Sequence, residues 1–495
     1  MNMFSSITPE QAGISSKAVL KFIRKLEQRG LYSHGILMMR GDNIFCEGYW
    51  APWSQDSIHR MYSQTKSFVG IAIGLLEEEG KLALTDSIAS HFPEKIHTPL
   101  NSYLSDLTIR DMLLMETTGQ PKSWFEDKSA VDRTEHYFRT VKAARSGSMY
   151  WDYDSAGSQV LSSLVEKLSG TSLLEYLKEK LFNKMGTFQT ATVLKTRNND
   201  SWGDSAMVCT LRDIASFAWL LKNEGVYNGE QLINAEYVKT ATSRLVDNDS
   251  TGFLKEFPGY GYQIWRACCG GFAFVGMGQQ LTIAIPEKDF LFTYHSENQG
   301  FDTARCRIMS ALEDFILDEL QDAPLPADPE AYQNYHDYMQ SLKLKHIEGP
   351  TDSTCVEKIN GVTYLCEENP TGITQFRFDF TDTHTAQLHY RNAQGEKVIP
   401  FGLGKNVFCK FPQYGYSDLH GGCESDNGHL YDCAVSASWR EEQKLALKVQ
   451  IIDKYLGSMY AVFSFRENQA FVHMTSFAED FLKEYKGQFN ATAQI

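Results

Sequence analysis

The chain has 495 residues, 42% hydrophobic and 13% aromatic, with a formal net charge of −15. This is the composition of a folded protein too long for one ordinary core, so two or three domains are expected. The acidic balance argues against nucleic acid and anionic membrane as partners, and the apolar run Val69 to Leu76 is too short to span a bilayer.

The N-terminus has no basic stretch followed by an apolar one, so no secretory signal is visible. Ten cysteines include no Cys-x-x-Cys, and Cys268 and Cys269 are adjacent. That pattern suits neither a zinc site nor a disulfide framework and predicts a cytoplasmic protein with reduced cysteines and no metal or other cofactor.

Gln11 to Arg29 has the spacing of an amphipathic helix, through Val19, Leu20, Phe22, Ile23 and Leu26. Gly35 to Met39 and Ile44 to Cys46 flank Arg40-Gly41-Asp42-Asn43, a β-hairpin signal. Met61-Tyr62-Ser63-Gln64-Thr65-Lys66-Ser67-Phe68 then leads into an apolar run that reads as a buried helix ending at Glu79-Gly80. Ser63 and Lys66 form the chain's single Ser-x-x-Lys. Three residues apart at a helix start, they share a face, so the amine can reach the hydroxyl. The helix N-terminus adds a positive field and burial favours a neutral amine, conditions that suit a serine nucleophile with a lysine base. Chance supplies about two such strings in a chain this long, so the weight rests on placement and on the segments downstream.

Leu107 to Leu114 begins another helix with Thr108 as its cap, and Gly119 to Ala144, aromatic and charged, is a candidate pocket wall. Tyr153 to Gly170 reads loop-to-helix, and Ser172 to Lys184, Thr210 to Asn223 and Gln231 to Ser243 read as helices, with Asp213 a first-turn cap. Gly261 to Arg266, Gln280 to Ile285 and Phe290 to Tyr294 read as strands, and Thr303 to Leu320 as a closing helix. The order predicts an α/β (α+β) sandwich over residues 1–321, an antiparallel sheet with a helical subdomain. Residues 322–345 read as a proline-rich linker and a short helix, about Ala331 to Leu344. Over 346–495 the period changes to two, as at Phe376, Phe378 and Phe380 or Leu445, Leu447, Val449 and Ile451. This predicts a separate all-β domain, barrel or sandwich, closed by a helix from Ala478 to Tyr485.

Three segments in this order resemble the class C β-lactamase-like serine hydrolases. That superfamily also holds penicillin-binding carboxypeptidases, esterases, D-aminopeptidases and 6-aminohexanoate-dimer hydrolase. The resemblance runs from about Gln11 to Leu320. It rests on His59 to Phe68 with Gly74 to Asp86, on Leu107 to Gly119, and on Tyr153-Asp154-Ser155 with Gly157 to Leu161 and Leu168-Ser169-Gly170. Phe274-Val275-Gly276, ahead of Met277-Gly278-Gln279-Gln280, stands where the family carries a basic residue and a glycine.

The resemblance implies a β-lactamase/transpeptidase-like fold and an acyl-enzyme on Ser63, with Lys66 and Tyr153 moving the proton. It also implies an oxyanion hole from the Ser63 and Met277 amides beside Gly276. Ser155 replaces the family's asparagine, as a hydroxyl in its place or as a helix N-cap, and Phe274 replaces the cation that holds a substrate carboxylate. Efficient β-lactam hydrolysis is therefore not expected; the implied substrate is a small ester, amide or peptide. Trp124, Phe125, Trp151 and Trp202 read as wall and core, His295 as structural, and His473 and the C-terminal cysteines show no ligand spacing. Two readings stay open beside this one: a catalytically silent binding protein on the same fold, and a D,D-peptidase or D-aminopeptidase-type enzyme. A homo-oligomer is compatible with the sequence but not readable from it.

Overall fold

The computed structural model describes residues 3–127, 129–248, 255–420, 427–479 and 481–494. The chain divides into two compact units. One comprises Met1–Asn298, Asp302–Lys343 and Leu419–Gly421, the other Gln299–Phe301, Leu344–Asp418 and Gly422–Ile495.

The first unit is built on a seven-stranded sheet. From one edge the strands are Ser5–Ser6, Asn43–Tyr49, Ser33–Arg40, Phe290–Ser296, Gln280–Ile285, Phe272–Gly276 and Trp265–Arg266. The first pair is parallel and the rest antiparallel. The predicted hairpin is thus the pair Ser33–Arg40 and Asn43–Tyr49. Alternation along Phe290–Ser296 sends Phe292 to one face, against Phe22 of the Ser16–Gln28 helix. Its neighbours Leu291, Thr293 and His295 face the other side with Thr282 and Phe274, where the Leu211–Lys222 helix lies. On that side Phe274 meets Phe217 of this helix, and Phe217 stacks on Phe68 of the Thr65–Glu78 helix at 4.2 Å. From Thr65 to Leu76 every residue of that helix is buried, as an apolar run without a polar stripe requires.

Helix starts follow the expected chemistry. Thr108 and Thr210 are N-caps, each with an aspartate three residues on (Asp111, Asp213) completing a capping box. Several boundaries differ, two of them with a clear cause. Only Trp265–Arg266 of the segment from Gly261 is strand, because Gln263 takes a positive φ of 60° and turns the chain. The C-terminal helix is absent: Gln469–Ala478 is strand, Lys483–Tyr485 a single 3₁₀ turn and Gly487–Ala493 a further strand, with residue 480 outside the described residues. The reason lies in the second unit's topology. Among the described residues nine strands form a closed barrel, and Gly487–Ala493 pairs with both Thr363–Cys366 and Gln469–Ala478, supplying partners for two otherwise open edges. The Gly395–Leu403 and Asp432–Glu441 strands complete the ring. Among the described residues no helix is long and apolar enough to cross a membrane.

His34, His59 and His295 cluster beneath the sheet, each at most 3% exposed. His59 stacks on His295 at 4.5 Å, and its Nδ1 lies 3.1 Å from the Arg60 carbonyl. Nδ1–H therefore donates there, and Nε2 accepts from His34 Nδ1 at 2.9 Å. Burial pushes the His59 pKa down to about 4 and holds that of His295 well below its ordinary value, with His59 and His34 adding to the effect. A histidine kept neutral in the fold protonates first in the unfolded chain. Its contribution to stability is thus complete above pH 6.5 and is lost as the pH falls toward about 4. The buried carboxyl of Asp154, pushed up to about 6, slopes the opposite way. The comparison of wild type with His295→Phe separates the two: the variant should lose less stability between about pH 7.5 and about pH 5, read from urea midpoints.

Candidate active site

Ser63 sits in the 3₁₀ turn Tyr62–Gln64 that runs directly into the Thr65–Glu78 helix. Tyr62 adopts φ = 48°, a left-handed conformation that a bulky residue holds only when its surroundings enforce it. Here Tyr62 is fully buried, and the Arg60 guanidinium lies 4.3 Å over its ring. Thr65 Oγ1 donates to Tyr62 O at 2.6 Å and accepts from Met207 N at 3.0 Å, while Met61 N donates to Met207 O at 2.8 Å. The turn is thereby anchored to a small sheet in which His59–Arg60 pairs with Met207–Cys209.

Lys66, 1% exposed, directs its Nζ to Ser63 Oγ at 2.9 Å and to the Asp204 carbonyl at 2.7 Å. The Asp204 carboxylate stands 4.0 Å from the same amine and 3.9 Å from Arg133 Nη1. Arg60 holds the next residue, donating from Nε to Ser205 O and from Nη2 to Ser205 Oγ. Gln159 accepts from Gly203 N and donates to Ser201 O, fixing the other end of the segment.

Tyr153 lies just before the Ser155–Ser169 helix, with Lys66 Nζ 5.1 Å from its ring centroid and Trp265 stacked on it at 5.6 Å. Ser155 is the first residue of that helix and not its N-cap. The cap is Asp154, which accepts from Gly157 N at 2.8 Å and from the Thr117 hydroxyl at 3.0 Å. Carboxylate caps accept well at a helix start, and the Tyr137 hydroxyl adds a third donor.

The sheet closes the other side. Gly276 lies so near the preceding turn that a Cβ there would stand 2.3 Å from Met61 O. This is the close approach for which a strand glycine is needed. Gln64 Oε1 accepts from Thr282 Oγ1 at 2.9 Å, tying the residue after Ser63 to the neighbouring strand. Gln280 Nε2 donates to Met277 O and Ser296 O, and Ser296 Oγ donates to Gly278 O, so the turn carrying Met277 is held from below. Met277 itself is 37% exposed. Phe274 requires a correction. Its side chain is fully buried against Phe217 and Phe272, so it belongs to the core and offers no surface to a substrate.

The aromatic residues divide as well. Trp202 and Trp151 are buried, and Trp202 stacks edge-on with Trp124 and Phe125. Asp204, Arg133 and Arg60 carry no local signature and were not singled out from the sequence; neither was Gln263. Gln263 receives the Ser158 hydroxyl on its side chain and that of Ser67 on its carbonyl, joining the two site helices. Its only sequence signal is a polar residue inside an apolar stretch beside Trp265. Among the described residues, no group of three or more His, Cys, Asp or Glu side chains is arranged to hold a metal ion.

A mostly antiparallel sheet with helices on both faces is the architecture of the β-lactamase/transpeptidase-like fold. Residues 21–313 match the Beta-lactamase family model, and the chain belongs to that family. It is 24% identical over 282 residues to the 6-aminohexanoate-dimer hydrolase of Paenarthrobacter ureafaciens, covering 53% of this chain and 71% of that protein. Protein flp of Staphylococcus aureus strain MRSA252 is 24% identical over 153 residues, 30% of each chain. In fold the chain is similar to an octameric penicillin-binding protein homologue from Pyrococcus abyssi, at TM-score 0.50 and 15% identity over 96% of this chain and 99% of that one. A penicillin-binding protein homologue from Caulobacter crescentus gives TM-score 0.50 and 15% identity over 61% and 99%.

Phe274→Ala is expected to cost about 3–5 kcal/mol of stability, since it opens a cavity between Phe217 and Phe272. Urea denaturation checks this; a residue that lined only the substrate site would leave the midpoint unchanged.

Proposed function

We propose that the protein is a serine hydrolase that cleaves an ester or amide bond of a small substrate through an acyl-enzyme on Ser63. The observation that carries this reading is the 2.9 Å contact between Lys66 Nζ and Ser63 Oγ at the head of a buried helix. Similarity to a 6-aminohexanoate-dimer hydrolase supports hydrolysis as the reaction class. Lys66 accepts the Ser63 proton while still donating to Asp204 O, and Ser63 attacks the carbonyl. The ammonium so formed stays beside the Tyr153 ring; the Tyr153 hydroxyl gives its proton to the leaving group and regains one from Lys66, which returns to the free amine. The Ser63 and Met277 amides receive the oxyanion, a contribution of about 10²–10³ in rate per donor in comparable sites. Water then releases the acyl group. With Phe274 in the core, no cation stands at that position for a substrate carboxylate, which favours neutral esters and amides over β-lactams.

Wild type is expected to be labelled by a fluorophosphonate probe and to hydrolyse short-chain p-nitrophenyl esters. Ser63→Ala should abolish both, and Lys66→Ala should lower ester turnover at least about 10²-fold. Tyr153→Phe should lower kcat with little change in KM. A wild type that neither labels nor turns over esters, amides or a fluorescent penicillin would instead be a binding protein on this fold.

A further inference from the structure

Buried charge near Ser63 exceeds what a serine and its base require. Buried among the described residues are Lys66, 1% exposed, Arg60, fully buried, Arg133 at 6%, and the carboxylate of Asp204 at 3%. Burying a carboxylate is costly unless cations stand beside it. Asp204 has two, Lys66 Nζ at 4.0 Å and Arg133 Nη1 at 3.9 Å, on opposite oxygens. Its Oδ1 takes no hydrogen bond from the described residues. These are ion-pair distances, not hydrogen-bond distances, so the carboxylate couples the two cations through the field rather than through a shared proton.

The geometry resists rearrangement. The Arg133 guanidinium lies 3.2 Å over the Trp124 ring and 4.6 Å from Trp202, and Trp202 also receives Arg60 at 4.4 Å. Arg60 fixes Ser205, Gln159 fixes Gly203, and Asp204 stands between them. One residue therefore presents two acceptors to the Lys66 amine: a carbonyl at hydrogen-bond distance and a carboxylate behind it.

Resting on the reading of Ser63 and Lys66 as nucleophile and base, we propose that Asp204, braced by Arg133, is a positioning residue for Lys66. Its carbonyl holds the amine on Ser63 Oγ, and its carboxylate, partly spent on Arg133, sets the pH range in which that amine serves as base. The negative charge of Asp204 stands 4.0 Å from the amine and the positive charge of Arg133 3.9 Å from the other carboxylate oxygen, so on this proposal removing one or the other acts on the working range in opposite directions. Among the described residues, the Tyr153 ring lies 5.1 Å from the amine, and Arg60 is bound to Ser205, the neighbour of Asp204. Asp154, on the same side as Tyr153, is turned to Thr117, Tyr137 and Gly157 N, and His59 and His295 are stacked on each other.

The test is the rate of fluorophosphonate labelling of Ser63 in the full chain as a function of pH. In Asp204→Asn the acidic limb should move down by about one pH unit, and in Arg133→Gln it should move up by a smaller amount. Arg133→Lys, which keeps the charge, should leave the limb near its wild-type position. The double variant, which leaves neither buried charge without its counterpart, should bring it back toward wild type. A purely structural role predicts slower labelling with the limb unmoved. Folded variants whose limb stays in place, or moves in the same direction for both single changes, would overturn the proposal while leaving Ser63 as nucleophile. A wild type that does not label removes the underlying reading and the proposal with it.

Discussion

Lys66 Nζ lies 2.9 Å from Ser63 Oγ and 2.7 Å from Asp204 O, inside a helical turn with almost no solvent exposure. An amine in such a place must find its acceptors within the protein, because an unpaired polar group there costs several kcal/mol. That requirement organises much of the first unit. A segment 138 residues downstream must return to the helix head, and the small sheet pairing His59–Arg60 with Met207–Cys209 brings it there. Arg60, Gln159 and Arg133 then fasten it in place.

The opposite wall obeys a different constraint, close approach. Gly276 admits Met61 O where any side chain would collide, and Thr282 reaches Gln64 across the same gap. The aromatic series Phe68, Phe217 and Phe274 lies below and joins the nucleophile helix to the Leu211–Lys222 helix and the sheet. Dense packing of this kind limits how far the Ser63 turn can shift, which suits a site whose groups must stay within hydrogen-bond distance. The positive φ of Tyr62 is sustained by the same surroundings.

Legibility in the sequence tracked the range of the interaction. Ser63, Lys66 and Tyr153 could be singled out because they belong to short strings, and two of them meet through one turn of helix. Thr108 and Thr210 were readable as caps for the same reason, since a capping box spans only three residues. The Ser155 alternatives turned on a single position: Asp154, not Ser155, has the extended backbone and the carboxylate that caps the helix. The apolar spacing from Ala478 to Tyr485 suits a helix, whereas the chain there makes only the 3₁₀ turn Lys483–Tyr485 and leads into Gly487–Ala493, the strand that pairs two edges of the barrel.

By itself the sequence determined which residues form the buried helix, that serine and lysine stand three apart at its head, and that a β domain comes after it. These rest on periodicity and on contacts three or four residues long. The tertiary structure alone decided that Asp204 meets Lys66 while Arg133 and Arg60 hold Asp204 and Ser205, that Phe274 belongs to the core, and that the last strand closes a barrel. Most of these depend on groups brought together from distant parts of the chain, and local spacing carries no record of such meetings. Ser-x-x-Lys thus located the chemistry, while its electrostatic setting came from Asp204 and Arg133, far along the chain from the helix they serve.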